Sequence, residues 1–203
     1  MLVPARALPS AKSRLTDASR DDEAHARLVR AIRADTIAAA AATAGVRQVI
    51  AVVDAPGIVD GPCFIQAEPG LNPALTQAGR WAARNWPDDG LAVLMGDLPA
   101  LRPAELQQVL SAAARHPRAF VADAAGTGTS LLCVLPPMPL TPAFGPGSAA
   151  RHGLDAVSID AGPGLRLDVD TADDLRTALE FGVGAATRAV LAVESGLLTA
   201  FAL

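Results

Sequence analysis

The chain alternates between two hydrophobic periods. Short apolar runs at Leu2-Val3, Val46 to Val53, Cys63-Phe64-Ile65, Leu91 to Met95 and Ala119-Phe120-Val121 each predict a strand, as do Ser130 to Leu135, Val157-Ser158-Ile159 and Leu165 to Asp170. Leu91 to Met95 is apolar throughout, the mark of a strand covered on both faces. Between the runs the spacing turns helical. Asp21, Asp22 and Glu23 sit where a helix dipole favours negative charge, Leu28, Ile32 and Ile37 continue an apolar stripe, and Gly45 stops it. Further helices are predicted from Asn72-Pro73 to Asn85, from Pro103, briefly after Ser148, over Thr171–Phe181 and over Ala185–Leu198. Strands separated by helices predict an α/β three-layer sandwich, one domain over 1–203, with a mostly parallel sheet made mixed by the later strands. Ligands of such sheets sit beyond the carboxyl ends of the strands.

Composition narrows the class. At 203 residues, 51% hydrophobic and 19% charged, the chain can bury roughly 70% of its unfolded surface without a disulfide or metal staple. A net charge of −4 and only 3% aromatics, with no Tyr, argue against a nucleic-acid partner, since neither a basic face nor a stacking platform can be built. Cys63 and Cys133 stand alone and read as two buried thiols in a reducing cytosol. No signal peptide or membrane-length apolar stretch is visible, so the expectation is a soluble cytoplasmic protein with no membrane partner. The apolar C-terminal helix (Val190, Leu191, Val193, Leu197, Leu198) packs internally or against a second copy of the chain, which would make a homodimer. His25 and His116 read as solvated surface residues, and Trp81 with Trp86 as packing for the 72–85 helix.

Five places can carry chemistry. Asp97, in Gly96-Asp97-Leu98-Pro99, directly follows the run that reads as the most buried strand; it is either a turn residue bonded to its own backbone or a carboxylate aimed into the crevice. In Leu165 to Asp170 a strand would put Arg166, Asp168 and Asp170 on one face, and neighbouring carboxylates call for a cation between them, for which a divalent metal serves. The plainer alternatives are that Asp170 caps the following helix and that Asp168 pairs with Arg166. Lys12 is the single lysine of the chain and lies beside Arg14 in Ala11-Lys12-Ser13-Arg14, either a solvated cluster or a polyphosphate grip. Gly145-Pro146-Gly147-Ser148 and Gly126-Thr127-Gly128-Thr129-Ser130 are small loops that can donate to an anion, or simply turns.

Together these segments resemble the 2-phospho-L-lactate or phosphoenolpyruvate guanylyltransferases of coenzyme F-420 biosynthesis, nucleotidyltransferases of GT-A-like fold. The resemblance runs in order through Val3-Pro4-Ala5-Arg6, Ala11-Lys12-Ser13-Arg14-Leu15, Gly70-Leu71-Asn72, Gly96-Asp97-Leu98-Pro99, Gly126 to Ser130, Phe144 to Ser148 and Leu167-Asp168-Val169-Asp170-Thr171. It implies that Asp97, Asp168 and Asp170 hold a catalytic magnesium ion (Mg2+). It further implies that Thr129 or Ser130, Gly145 and Ser148 hold a phosphorylated three-carbon acid, and that Lys12, Arg14, Gly70 and Asn72 line GTP. Lys12 would also steady the charge of the reacting phosphates. Phosphoenolpyruvate is the acceptor expected, with 2-phospho-L-lactate and 3-phospho-D-glycerate as alternatives. Other transferases of this fold, on molybdopterin or sugar phosphates, carry a Gly-rich N-terminal LAGGxGxR signature that is absent here. A GTP-binding protein of the same fold without catalysis is the remaining reading.

Overall fold

Apolar residues, chiefly Leu, Val and Ala, fill both faces of a central sheet, and the computed structural model describes residues 1–5 and 22–193 of the chain. The strands are β1 (Leu2–Ala5), β2 (Ile50–Val53), β3 (Cys63–Ile65), β4 (Leu91–Leu94), β5 (Arg118–Ala122), β6 (Thr129–Val134) and β7 (Val157–Ser158). They form one sheet in the order β3-β2-β1-β4-β6-β5-β7. Neighbours pair in parallel except that β6 runs antiparallel to both β4 and β5, so the expected mixed, mostly parallel sheet is what the sequence builds.

Helices cover both faces. Val3, Leu94, Val121, Leu131 and Cys133 meet α1 (Asp22–Ala41) and α3 (Pro103–Ala113) on one side. Leu2, Ile50, Val93, Phe120 and Leu132 meet α2 (Leu71–Asn85) and the short α4 (Ser148–His152) on the other. A third cluster joins Leu28, Val29 and Ile32 of α1 to α6 (Ala172–Phe181) and α7 (Ala185–Val193), through Leu167, Val169, Leu175 and Leu191. Trp81 and Trp86 stack edge-on with ring centroids 5.2 Å apart, Trp81 also meeting Phe64 of β3. Among the described residues no helix is long and apolar enough to cross a membrane.

Four expectations are corrected. The strand predicted over Leu165 to Asp170 is instead one helical turn, α5 (Pro163–Arg166), followed by an extended stretch. Pro163 at the first helical position favours the turn, and Glu105 of α3 accepts the Leu165 N–H at 3.0 Å, fixing it. The second strand starts at Ile50 rather than Val46, because Thr43 accepts the Val46 N–H in the turn that ends α1. Cys63 is exposed, since β3 is an edge strand, whereas Cys133 is buried. His25 lies on the buried face of α1 and His116 is half-buried.

Two consecutive residues of α1 brace distant parts of the chain. The buried Asp35 carboxylate accepts the N–H groups of Ala186 at 2.9 Å and Thr187 at 2.8 Å, capping α7 from another helix. Gly184 leaves room for it, because a Cβ there would collide with the Asp35 side chain. Thr36, fully buried, accepts the Leu98 N–H at 3.0 Å. Replacing Asp35 by Ala leaves two amides without their partner, which costs about 2 kcal/mol and should lower the thermal midpoint by roughly 4–8 °C. A calorimetric scan of Asp35→Ala beside the parent protein checks this.

Candidate active site

Asp97 stands three residues past the end of β4, at the carboxyl edge of the sheet. Gly96 makes that placement feasible: a Cβ there would lie 2.8 Å from the Pro4 carbonyl oxygen, so only glycine lets the loop pass over β1. The Asp97 carbonyl accepts the Val169 N–H at 3.0 Å, which sews the 167–170 stretch against the β4 loop. Leu167 and Val169 turn into the core while Asp168 and Asp170 turn outward, the alternation expected of an extended chain. As a result one carboxylate oxygen from each of Asp97, Asp168 and Asp170 lies within 4.8 Å of the others.

The plainer readings of these residues give way. The helix α6 is capped by Thr171, whose hydroxyl accepts the Asp174 N–H in a reciprocal capping box, so Asp170 is not the cap. Arg166 donates to the carbonyls of Ala122 at 3.2 Å and Asp123 at 3.0 Å, which commits it to the β5–β6 hairpin rather than to Asp168. Burial and then the charges of Asp97 and Asp170, with a smaller push from Asp123, raise the Asp168 carboxyl to about 6. Three anionic oxygens at one point, one of them held uncomfortably ionised, fit a hard divalent cation such as magnesium.

A charge on the buried face of α1 completes this side. Arg33 is only 7% exposed and lies close to Gly96. Burial lowers its proton affinity, while the carboxylates of Asp54 and Asp97 act in the opposite sense. The sequence reading does not single out Arg33, because α1 buries His25, Asp35 and Thr36 along with its apolar residues.

The antiparallel β6 brings the other half of the site to the same rim. The Met95 N–H donates to the Ser130 carbonyl at 2.9 Å, placing Thr129 and Ser130 beside the loop that bears Asp97. Ala122 pairs with Thr129 whereas Val121 pairs with Leu131, so one extra residue bulges the strand there. The bulge switches the face: Leu131 and Cys133 look toward α3, yet Thr129 reaches His152 of α4 at 2.9 Å. The amides of Thr127 and Gly128, which the sequence offered to an anion, are instead bonded to the Asp123 carboxylate at 3.0 and 2.8 Å.

The Gly145 loop is linked to Thr129 through His152, which accepts the Ala143 N–H, and is held by further side chains. Asn72 accepts the Phe144 N–H at 2.9 Å and donates to the Phe144 carbonyl at 3.0 Å, so it braces this loop. Gly70, at φ +103, forms the start of α2 next to it. Arg151 donates to the carbonyls of Ala143, Gly145 and Pro146. Gly147 occupies the cap position of α4, and Ser148 is buried directly after it. Of the eleven site residues singled out from the sequence, Lys12 and Arg14 lie outside the described residues.

Comparison with known proteins agrees with this architecture. Residues 1–193 match the family described as guanylyl transferase CofC like. The chain is 45% identical over 209 residues to a phosphoenolpyruvate guanylyltransferase of Streptomyces scabiei, covering 95% of each. It is 46% identical over 202 residues to that of Streptomyces coelicolor, again covering 95% of each. In fold it is similar to a Desulfovibrio desulfuricans protein assigned to the nucleotide-diphospho-sugar transferases, with TM-score 0.72, 16% identity and 98% and 96% of the two chains covered. A cytidylyltransferase of Leptospira borgpetersenii superposes with TM-score 0.53 at 13% identity, over 98% and 94% of the chains. With its carboxylate cluster at the sheet rim and its match along nearly the whole length, the chain belongs to the CofC-like guanylyltransferase family.

Proposed function

We propose that the chain transfers GMP from GTP to the phosphate of phosphoenolpyruvate, giving enolpyruvyl-diphospho-guanosine and pyrophosphate. The observation that carries this reading is the meeting of Asp97, Asp168 and Asp170 within 4.8 Å, beside the hairpin end that presents Thr129 and Ser130. The names of the Streptomyces relatives supply the acceptor.

In this reading an acceptor phosphate oxygen attacks the α-phosphorus of GTP. A phosphoanhydride bond forms, the bond from the α-phosphorus to the bridging oxygen breaks, and pyrophosphate leaves with the electron pair. The second phosphate pKa of about 6 leaves the acceptor largely dianionic at neutral pH, so no side chain has to remove a proton. Catalysis is then positioning plus charge compensation. Magnesium held by Asp97, Asp168 and Asp170 would supply electrostatic neutralisation of the polyphosphate. Thr129, Ser130, Gly145 and Ser148 line the acceptor, and Gly70 lies toward the nucleotide. Asn72 serves by holding the Gly145 loop to α2. Lys12 and Arg14 carry positive charge for the triphosphate, and Arg33 stands behind Asp97.

The deciding experiment measures pyrophosphate release from GTP with phosphoenolpyruvate, 2-phospho-L-lactate and 3-phospho-D-glycerate, followed by mass analysis of the product. Phosphoenolpyruvate should give the fastest release. Binding of GTP without release from any of the three acids would make the chain a non-catalytic nucleotide binder. Asp97→Asn and Asp168→Asn should each lower turnover on the order of a thousandfold and abolish the rise in thermal midpoint that magnesium produces in the parent. Circular dichroism should show the fold unchanged.

The same repulsion sets a pH dependence in the metal-free protein. Because the Asp168 carboxyl is raised to about 6 in the folded state, its ionised form is disfavoured there, and stability falls as pH rises from about 4 through 6. Asp168→Asn should therefore raise the thermal midpoint at pH 7.5 by roughly 2–5 °C, with the gain shrinking as the pH is lowered through that window.

A further inference from the structure

His152 is 1% exposed, and nothing in the magnesium chemistry uses it. Its two ring nitrogens have different partners. The Ala143 N–H donates to Nε2 at 3.0 Å, and Nδ1 lies 2.9 Å from Thr129 Oγ1. A backbone amide can only donate, so Nε2 carries no proton. The neutral ring then carries its proton on Nδ1 and donates it to the Thr129 hydroxyl. The opposite tautomer would set two N–H groups against each other at Ala143, and so would the imidazolium. The ring is locked in place by Phe144, edge-on at 5.1 Å, and by Phe120 at 6.2 Å.

The consequence falls on Thr129. A hydroxyl has one proton to give, and here its oxygen is already accepting from His152. We propose that His152 is a positioning residue for the acceptor substrate: as the Nδ1–H tautomer it makes Thr129 a dedicated donor, aimed at an anionic oxygen of the phosphorylated acid. This rests on the reading above that Thr129 lines the acceptor. The β6 bulge supplies the geometry, because without it Thr129 would face α3. The same ring ties the donor to the Gly145 loop through Ala143, so that both acceptor-side elements are fixed by one side chain. Burial first, then the nearby Arg118 and Arg151, depress the ring to about 4 against a smaller opposing effect of Asp155, so it stays neutral at working pH.

Two measurements test the proposal. In the 15N-labelled full chain, long-range imidazole correlations, assigned by their loss in His152→Phe or His152→Asn, should show a protonated Nδ1, a bare Nε2 and no titration between pH 6 and 8. A protonated Nε2, or an imidazolium at pH 6, overturns it, and this readout needs no turnover. In the kinetic assay with phosphoenolpyruvate, His152→Phe should raise the acceptor KM roughly tenfold with the GTP KM unchanged. His152→Asn, whose amide can still donate to Thr129, should recover most of that loss. In a Thr129→Val background His152→Phe should add nothing. Equal losses for both substrates, or full additivity with Thr129→Val, would reduce His152 to packing and sink the proposal. If His152→Phe does not fold, His152→Asn and the spectrum of the parent protein still decide. Absence of turnover in the parent with every acid tested would count against the proposed reaction, and the tautomer would be read all the same.

Discussion

Three carboxylates repel one another, and the fold must hold them together without help from the sheet's own ladder. Asp97 is delivered by β4, the middle strand of the sheet, while Asp168 and Asp170 arrive on a stretch that is not a strand. A backbone bond from Val169 to the Asp97 carbonyl joins them, with Val169 itself buried between α1, α6 and α7. Hydrophobic anchoring of alternate residues thus offsets the electrostatic cost of the residues between them. Such a conflict is expected where a site is shaped for a ligand rather than for stability.

The acceptor side is built by a different means. The segment from Pro136 to Gly147 holds five prolines and two glycines and forms little regular structure, so its backbone groups find partners in side chains. Arg118, buried at the start of β5, donates to the Pro139 and Thr141 carbonyls and pairs with Asp155 at 3.3 Å. Asn72, Arg151 and His152 do the same for residues 143–146. Each clamp comes from a regular element, so a loop with almost no ladder is tied at several points to the elements around it.

Much of this was legible in the sequence. Uniform apolar runs revealed the buried strands, Pro103 and Gly45 marked helix ends, and the family resemblance, rather than any spacing, linked Asp97 to Leu167-Asp168-Val169-Asp170. The alternation of the last motif survived even though the strand did not, because alternation reflects an extended backbone and not pairing. What stayed hidden depended on partners far along the chain. Glu105 decides that residues 163–166 turn, and no local pattern announces it. The exposure of Cys63 depends on β3 being an edge, and the brace from Asn72 to Phe144 spans 72 residues, so nothing near either one announces it. The bulge at Ser130 left no mark at all.

The reversed direction of β6 has an evolutionary side. In an all-parallel sheet, consecutive strands reach the same rim only through a full crossover, and a change at one crossover disturbs the packing of a helix. Here a short hairpin, residues 123–128, projects from that rim with its tip in solvent. Asp123, Ala124 and Thr127 are bonded to Arg166 and Ala149, so only the exposed tip at Ala125-Gly126 is clear of the carboxylate segment and of α4. A change of length at that tip falls near the strand end that bears Thr129 and Ser130 without requiring a helix to repack.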